Sequence, residues 1–122
     1  DESFTGGVPA ARMTAIDGAM QIFRGAMVSQ AGSEARALAP EQRARVAAVA
    51  AQRTFAADVG LAGVAPEAGE SHAPGTVLLA VAVGGAQHLE TFKFPGDRIR
   101  LREYSVISLL DLLRRTLLAG QP

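Results

Sequence analysis

Ser3, Thr5 and the glycine pair Gly6–Gly7 stand directly before a proline-led stretch that reads as a helix, in "ESFTGGVPAARM". Two hydroxyls and two glycines at a helix start concentrate hydrogen-bond donors. The first backbone N–H groups of a helix have no partner inside it, and the helix dipole favours negative charge there. Such a turn suits an anion. The plainer reading is a Ser/Thr cap, with the glycines making the turn. Other chemistries are narrowed by composition. With no cysteine there is no thiolate nucleophile, thiolate metal site or disulfide, and the redox compartment stays open. The two histidines, His72 and His88, are far apart in sequence and neither has a second ligand at helical spacing, which argues against zinc chemistry. No metal and no cofactor is expected.

The elements that must position these groups belong to one domain, since 122 residues suffice for a single sizeable core. An apolar fraction of 48% and a charged fraction of 20% are globular values and argue against disorder or a fibre. Twelve basic and twelve acidic residues balance, so no net charge draws the chain to nucleic acid or to an acidic membrane. The arginines near the C-terminus are interrupted by Glu103 and Asp111, which further weakens a nucleic-acid reading. The start is acidic and polar rather than basic then apolar, and "TVLLAVAVGGA" is too short to span a bilayer. These features point to a cytoplasmic protein.

Along the chain, Pro9 suits a first helical turn. Met13, Ile16, Met20 and Phe23 recur at helical spacing on one face, with Gly18 as the point where this stretch breaks into two short helices. "GAMVSQ", 25–30, reads as a short strand. Residues 40–57 are rich in Ala, Gln and Arg behind Pro40 and Glu41, which predicts a helix. "DVGLAGV", 58–64, is a short apolar strand, followed by a Gly/Pro/Glu/Ser loop over 65–75. "TVLLAVAV", 76–83, is continuously apolar, as a strand covered on both faces would be. The glycines at 84–85 signal a hairpin returning through "AQHLETFKF", which places His88 on a surface or edge and could expose an edge for dimer formation. "PGD" at 95–97 turns the chain, Asp97 caps, and Val106, Leu109, Leu110, Leu113 and Leu117 mark one face of a last helix that Gly120 ends. The order predicts an α/β domain: three layers, α/β/α, with a mixed sheet that includes one β-hairpin.

Four segments, in register, resemble the C-terminal domain of the competence/damage-inducible CinA family, which includes nicotinamide-nucleotide amidohydrolases. "ESFTGG" (Glu2–Gly7) resembles the family's E-S-C-T-G-G, and "GAMVSQAGSEARAL" (Gly25–Leu38) takes the place of its G-x-x-x-Y-S-N-x-x-K segment. "GLAGVAPEAGESHAPGTV" (Gly60–Val77) resembles the G-I-A-G-P loop with the following K-P-V-G-T-V, and "FPGDR" (Phe94–Arg98) matches outright before the final helix. The resemblance covers essentially the whole chain. It implies a CinA-like fold and deamidation of nicotinamide mononucleotide to nicotinate mononucleotide and ammonia, by a serine nucleophile with a lysine base and a supporting tyrosine. A helix and a buried strand normally precede the family's serine motif. Their absence from these 122 residues suggests either a trimmed piece or a strand supplied by a neighbouring chain in a homo-oligomer.

Carried over residue by residue, the resemblance places Ser3 at the nucleophile, Thr5, Gly6 and Gly7 in the glycine-rich turn, and Gly63 at the second glycine of G-I-A-G-P. Phe4 replaces the family's cysteine and Val64 its proline. Ser29 falls at the tyrosine, Ala31 at the asparagine and Glu34 at the lysine. Serine needs an activating base, and a carboxylate with an ordinary value near 4.3 is a weak one at neutrality unless burial raises it. Glu34 reads equally as a solvated helix-start carboxylate. Arg36 cannot act as a base but could hold a phosphate. His72 falls at the lysine of K-P-V-G-T-V, where it is either an exposed loop histidine or a recruited base. Two expectations follow. One is an amidohydrolase using Ser3 and Glu34 as catalytic pair, with Thr5, Gly6, Gly7, Ser29 and Gly63 around the nucleotide, its activity lowered by the lost lysine and tyrosine. The other is a non-catalytic relative that binds a nucleotide or a partner protein through the same cleft.

Overall fold

In the computed structural model, residues 7–28, 37–66, 72–95 and 97–119 are described. The chain forms α1 (Val8–Thr14), a short 3₁₀ turn (Ala19–Gln21), α2 (Pro40–Thr54), β1 (Val59–Val64), β2 (Thr76–Val83), β3 (Ala86–Lys93) and α3 (Arg98–Ala119). The three strands lie in the order β1-β2-β3 and both pairings are antiparallel, with Gly63 opposite Leu79 and Leu79 opposite Glu90. β2 and β3 form the expected β-hairpin, and the described strands pair only antiparallel, with no parallel pairing of a mixed sheet among them.

The uninterrupted apolar run of β2 has the predicted consequence. Val77 to Ala82 are buried on both faces because each face carries a helix. On one side, Ala44 and Ala48 of α2 pack on Ala62, Leu78, Ala80 and Ala82. On the other, Leu109 and Leu112 of α3 pack on Val77, Leu79 and Val81. The result is helix, sheet and helix in three layers. The first interface is built almost wholly of alanine, so α2 rides close to the strands. Gln52 exploits that closeness, its Nε2 donating to the carbonyls of Asp58, Ala82 and Gly84 at 2.9, 3.2 and 3.2 Å.

Local signals operate as the residues dictate. Gly84, at φ +56°, turns the β2–β3 hairpin, and Asp97 Oδ1 accepts from the Arg100 N–H at 2.9 Å to cap α3. At the far end of α3, Arg115 donates to both Glu90 of β3 and Asp111, and Arg114 donates to Asp111 as well. Those guanidinium hydrogen bonds hold the Asp111 carboxyl below its ordinary 3.8. A depressed carboxyl contributes stability above its unfolded value, and that contribution is lost as acid protonates it. The group is exposed, so the effect is small.

Three expectations change. Residues 40–57 form helix only to Thr54, because Ala56 enters the left-handed region at φ +49°. The Ala56 and Ala57 amides then bond back to the Arg53 and Gln52 carbonyls, closing the helix end. Ile16 and Met20 are exposed while Met13 and Phe23 are half-buried, because the helix ends at Thr14 and Gly18 (φ +82°) turns the chain, so the four do not share one helical face. Residues 25–28, the described part of the expected strand at 25–30, join no ladder. Gly25 packs against the Phe55 ring, where a Cβ would meet it at 2.4 Å. Between this segment and the outer side of β1 lies a cavity of about 350 Å³.

Candidate functional site

The serine-bearing segment reaches the described structure at Gly7, which is the cap residue of α1. Its φ of +90° and ψ of 0° suit glycine, and among the described residues no side chain caps the helix. The cap position is held by a glycine, and the hydroxyls of the expected Ser/Thr cap lie outside the described residues. A Cβ placed on Gly7 would lie 3.6 Å from Val28 Cγ2, an ordinary contact distance. The end of "SFTGG" and the end of "GAMV" thus meet side by side, although twenty residues separate them. Gly63 is buried inside β1. Ser3, Thr5, Gly6, Ser29 and Glu34 lie outside the described residues, as do Phe4, Ala31 and Arg36.

His72 is not an exposed loop histidine. Its side chain is 17% exposed, and its Nε2 lies 2.7 Å from Oε1 of Glu41 in the first turn of α2. Both partners are held by fixed backbone. On the loop side, the Thr76 amide and hydroxyl both donate to Ala73 O, and the Phe94 amide donates to Gly75 O. On the helix side, Pro40 opens α2, the Arg43 amide donates to Ala39 O, and Arg43 Nη1 donates to Leu38 O at 3.2 Å. Glu41 was legible only as a helix-start residue, because 31 residues separate it from His72. No spacing rule connects the two.

The cavity is a different place. It sits against the amino-terminal half of β1, lined by Met13, Phe23, Phe55, Leu61, Leu109 and Leu113 among others. The carbonyl of Ala48 faces Gly60 and Gln52 bonds Asp58, so α2 runs antiparallel to β1. Glu41, at the start of α2, therefore lies toward the carboxyl end of β1, away from this apolar space. The cavity lining is mostly apolar, with Gln21, Arg24 and Asp58 among it, and Pro9, Ala10, Gly25 and Ala26 bring it beside the place where Gly7 and Val28 meet. Among the described residues there is no group of three or more His, Cys, Asp or Glu side chains that could hold a metal ion, and no helix is long and apolar enough to cross a membrane.

Comparison with known proteins supports the family reading. The family model described as CinA C-terminal domain matches residues 1–117. A CinA-like protein of Frankia casuarinae is 38% identical over 137 residues, covering 99% of this chain and 31% of its own length. A putative competence-damage inducible protein of Bacillus velezensis is 31% identical over 118 residues, covering 84% of this chain and 28% of its own. The crystal structure of competence damage-inducible protein A from Klebsiella pneumoniae superposes with a TM-score of 0.86 over 98% of this chain and 84% of that one. At 24% identity it shows the fold alone. A CinA superfamily protein from Enterobacter cloacae superposes with a TM-score of 0.78 at 26% identity, over 93% of this chain and 78% of that one. The chain is an α/β domain of the CinA superfamily fold, and it belongs to the CinA C-terminal domain family. It spans about a third of the length of the curated relatives it matches.

Proposed function

We propose that this domain is a nicotinamide-nucleotide amidohydrolase that deamidates nicotinamide mononucleotide to nicotinate mononucleotide and ammonia. The observation that carries the reading is that the family match includes the serine motif itself, running from residue 1 through residue 117. In this scheme the Ser3 hydroxyl attacks the carboxamide carbon and the C–N bond breaks to release ammonia. Water then hydrolyses the acyl intermediate. Thr5, Gly6, Gly7, Ser29 and Gly63 surround the nucleotide, with backbone N–H groups of the glycine turn receiving charge as it develops on the carbonyl oxygen. The contact between Gly7 and Val28 supports a shared site, since it joins the ends of the two segments that carry these residues. Action on a free nucleotide in the cytoplasm, by a homo-oligomer without cofactor, nucleic acid or membrane, is the setting we propose.

The test is ammonia release from nicotinamide mononucleotide by the purified chain and by Ser3→Ala. The wild-type chain should release ammonia, and the variant should lose at least about 10³-fold in rate, as removal of a nucleophile does. Equal rates in the two, or none in either, would contradict the proposal.

The replacements Ser29 for tyrosine and Glu34 for lysine favour a second reading, a non-catalytic nucleotide-binding or interaction domain. It predicts saturable binding of nicotinamide mononucleotide without ammonia. In that case the double change Ser29→Tyr with Glu34→Lys should create turnover.

A further inference from the structure

β3 ends the described sheet, and its register with β2 runs unbroken from Lys93 to Ala86. The Phe94 amide donates to Gly75 O, one step beyond the Thr76–Lys93 pair, so that position is a bonded one. Bonded and non-bonded pairs alternate along an antiparallel ladder. Ala86, His88, Glu90 and Phe92 therefore bond to β2. The amides and carbonyls of Gln87, Leu89, Thr91 and Lys93 point away from the sheet, and no described backbone group pairs with them. Such an edge invites another strand, and proteins commonly blunt it with proline or a bulge. β3 has neither.

We propose that the outer edge of β3 pairs antiparallel with the same edge of a second copy of this chain, Leu89 meeting the partner's Leu89 at the two-fold axis and His88 facing the partner's Glu90. Two-fold pairing must set outward groups opposite one another, and two registers then use most of the strand, one centred on Glu90 and one on Leu89. Centring on Glu90 places two carboxylates directly opposite, which is destabilising. Centring on Leu89 replaces that clash with two His88–Glu90 pairs related by symmetry. His88 is exposed, and both residues occupy non-bonded positions on the α3 face, where opposing side chains approach most closely. Glu90 is held ready, because Arg115 Nη1 and Nη2 donate to its Oε1 and Oε2 at 2.7 and 3.1 Å. Each carboxylate oxygen keeps a further lone pair for an imidazole N–H. On the α2 face, half-buried Leu89 covers the partner's Leu89, and Gln87 faces the partner's Thr91. The contact uses the same patch on both copies, so it closes as a dimer. It gives the homo-oligomer proposed above its surface, and it rests on the sheet rather than on the reaction, so an ammonia assay and the experiment below fail independently.

Sedimentation equilibrium of the 122-residue chain should show a monomer–dimer equilibrium. Thr91→Pro removes an outward N–H and no bond to β2, and edge strands tolerate proline. It should keep the folded far-ultraviolet circular dichroism and be monomeric. His88→Glu, which sets like charges opposite at two symmetric places, should weaken the dimer about tenfold, whereas His88→Lys should hold it at least as tightly as the wild type. Amide exchange supplies a readout free of substitutions. The Gln87, Leu89 and Thr91 amides should be protected in the dimer, while Lys93, beyond the paired stretch of this register, should exchange fast. A wild type that is monomeric at every concentration, or a folded Thr91→Pro chain that dimerises as well as the wild type, would overturn the proposal. A protected Lys93 amide, or equal dimers in His88→Glu and His88→Lys, would overturn the register. Exchange and the His88 pair decide the outcome even if the proline variant does not fold.

Discussion

Alanine at position 60 is expected to unfold the domain. The Cβ it adds would lie 1.9 Å from the carbonyl oxygen of Ala48 and 3.0 Å from both Ala48 C and Gln52 Cγ. The glutamine side chain can swing aside, but the helical backbone at Ala48 cannot. Relief requires α2 to lift from β1. That would open the alanine interface of Ala44, Ala48, Ala62, Ala80 and Ala82, and would pull Gln52 away from the three carbonyls it serves. Dispersion contacts between small side chains are lost quickly as layers separate. We expect a loss of more than about 4 kcal/mol, at the extreme of single-substitution effects and comparable to the whole stability of a marginal domain. Gly85→Ala is the control, because nothing lies within 4 Å of its added Cβ, and it should stay within about 0.5 kcal/mol of wild type. Urea unfolding midpoints measure both. A Gly60→Ala chain with an unshifted midpoint would mean that α2 does not sit this close to β1.

Leu109→Ala should be the next most damaging change. Leu109 is 1% exposed, joins Val77, Leu79, Val81 and Leu112 in the core, and also borders the apolar cavity. Truncation removes apolar contact from the α3 layer and enlarges a space that the surrounding residues have not closed. The expected cost is about 3 kcal/mol, lowering the thermal midpoint by on the order of 10 °C. Ile107, two residues away and so on the opposite, exposed side at 56% accessibility, should tolerate alanine with little change. Equal effects at the two positions would mean that α3 presents a different face to the sheet.

Legibility in the sequence followed locality. β2, the glycine hairpin, β3 and α3 were readable because each is specified by its own residues: an unbroken apolar run, a glycine turn, a capping aspartate and a heptad-like leucine face. The first thirty residues were less readable. "GAMVSQ" has strand composition, but a strand also needs a partner, and the cavity lies where residues 25–28 would have met β1. Gly60 reads in the sequence as one half of a family motif, and only packing shows that it lets a helix backbone approach. The candidate site divides in the same way. Ser3, Ser29 and Glu34 are assigned by motif alone and lie outside the described residues, whereas the partnership of His72 with Glu41 is a tertiary fact that no local pattern encodes. The one available signal was a histidine in the loop that leads into a buried strand.

The central claim is that ligand chemistry belongs to the serine-motif and residue 25–34 segments, whose described ends come together at Gly7 and Val28, and not to the apolar wall of the neighbouring cavity. Backbone resonances of the intact chain, followed while nicotinamide mononucleotide is titrated in, test it most directly. Shifts concentrated at Gly7, Val28 and Gly63, with Met13, Phe55 and Leu113 unmoved, are the expected result. Shifts concentrated on those cavity residues, with Gly7 and Val28 unmoved, would contradict it.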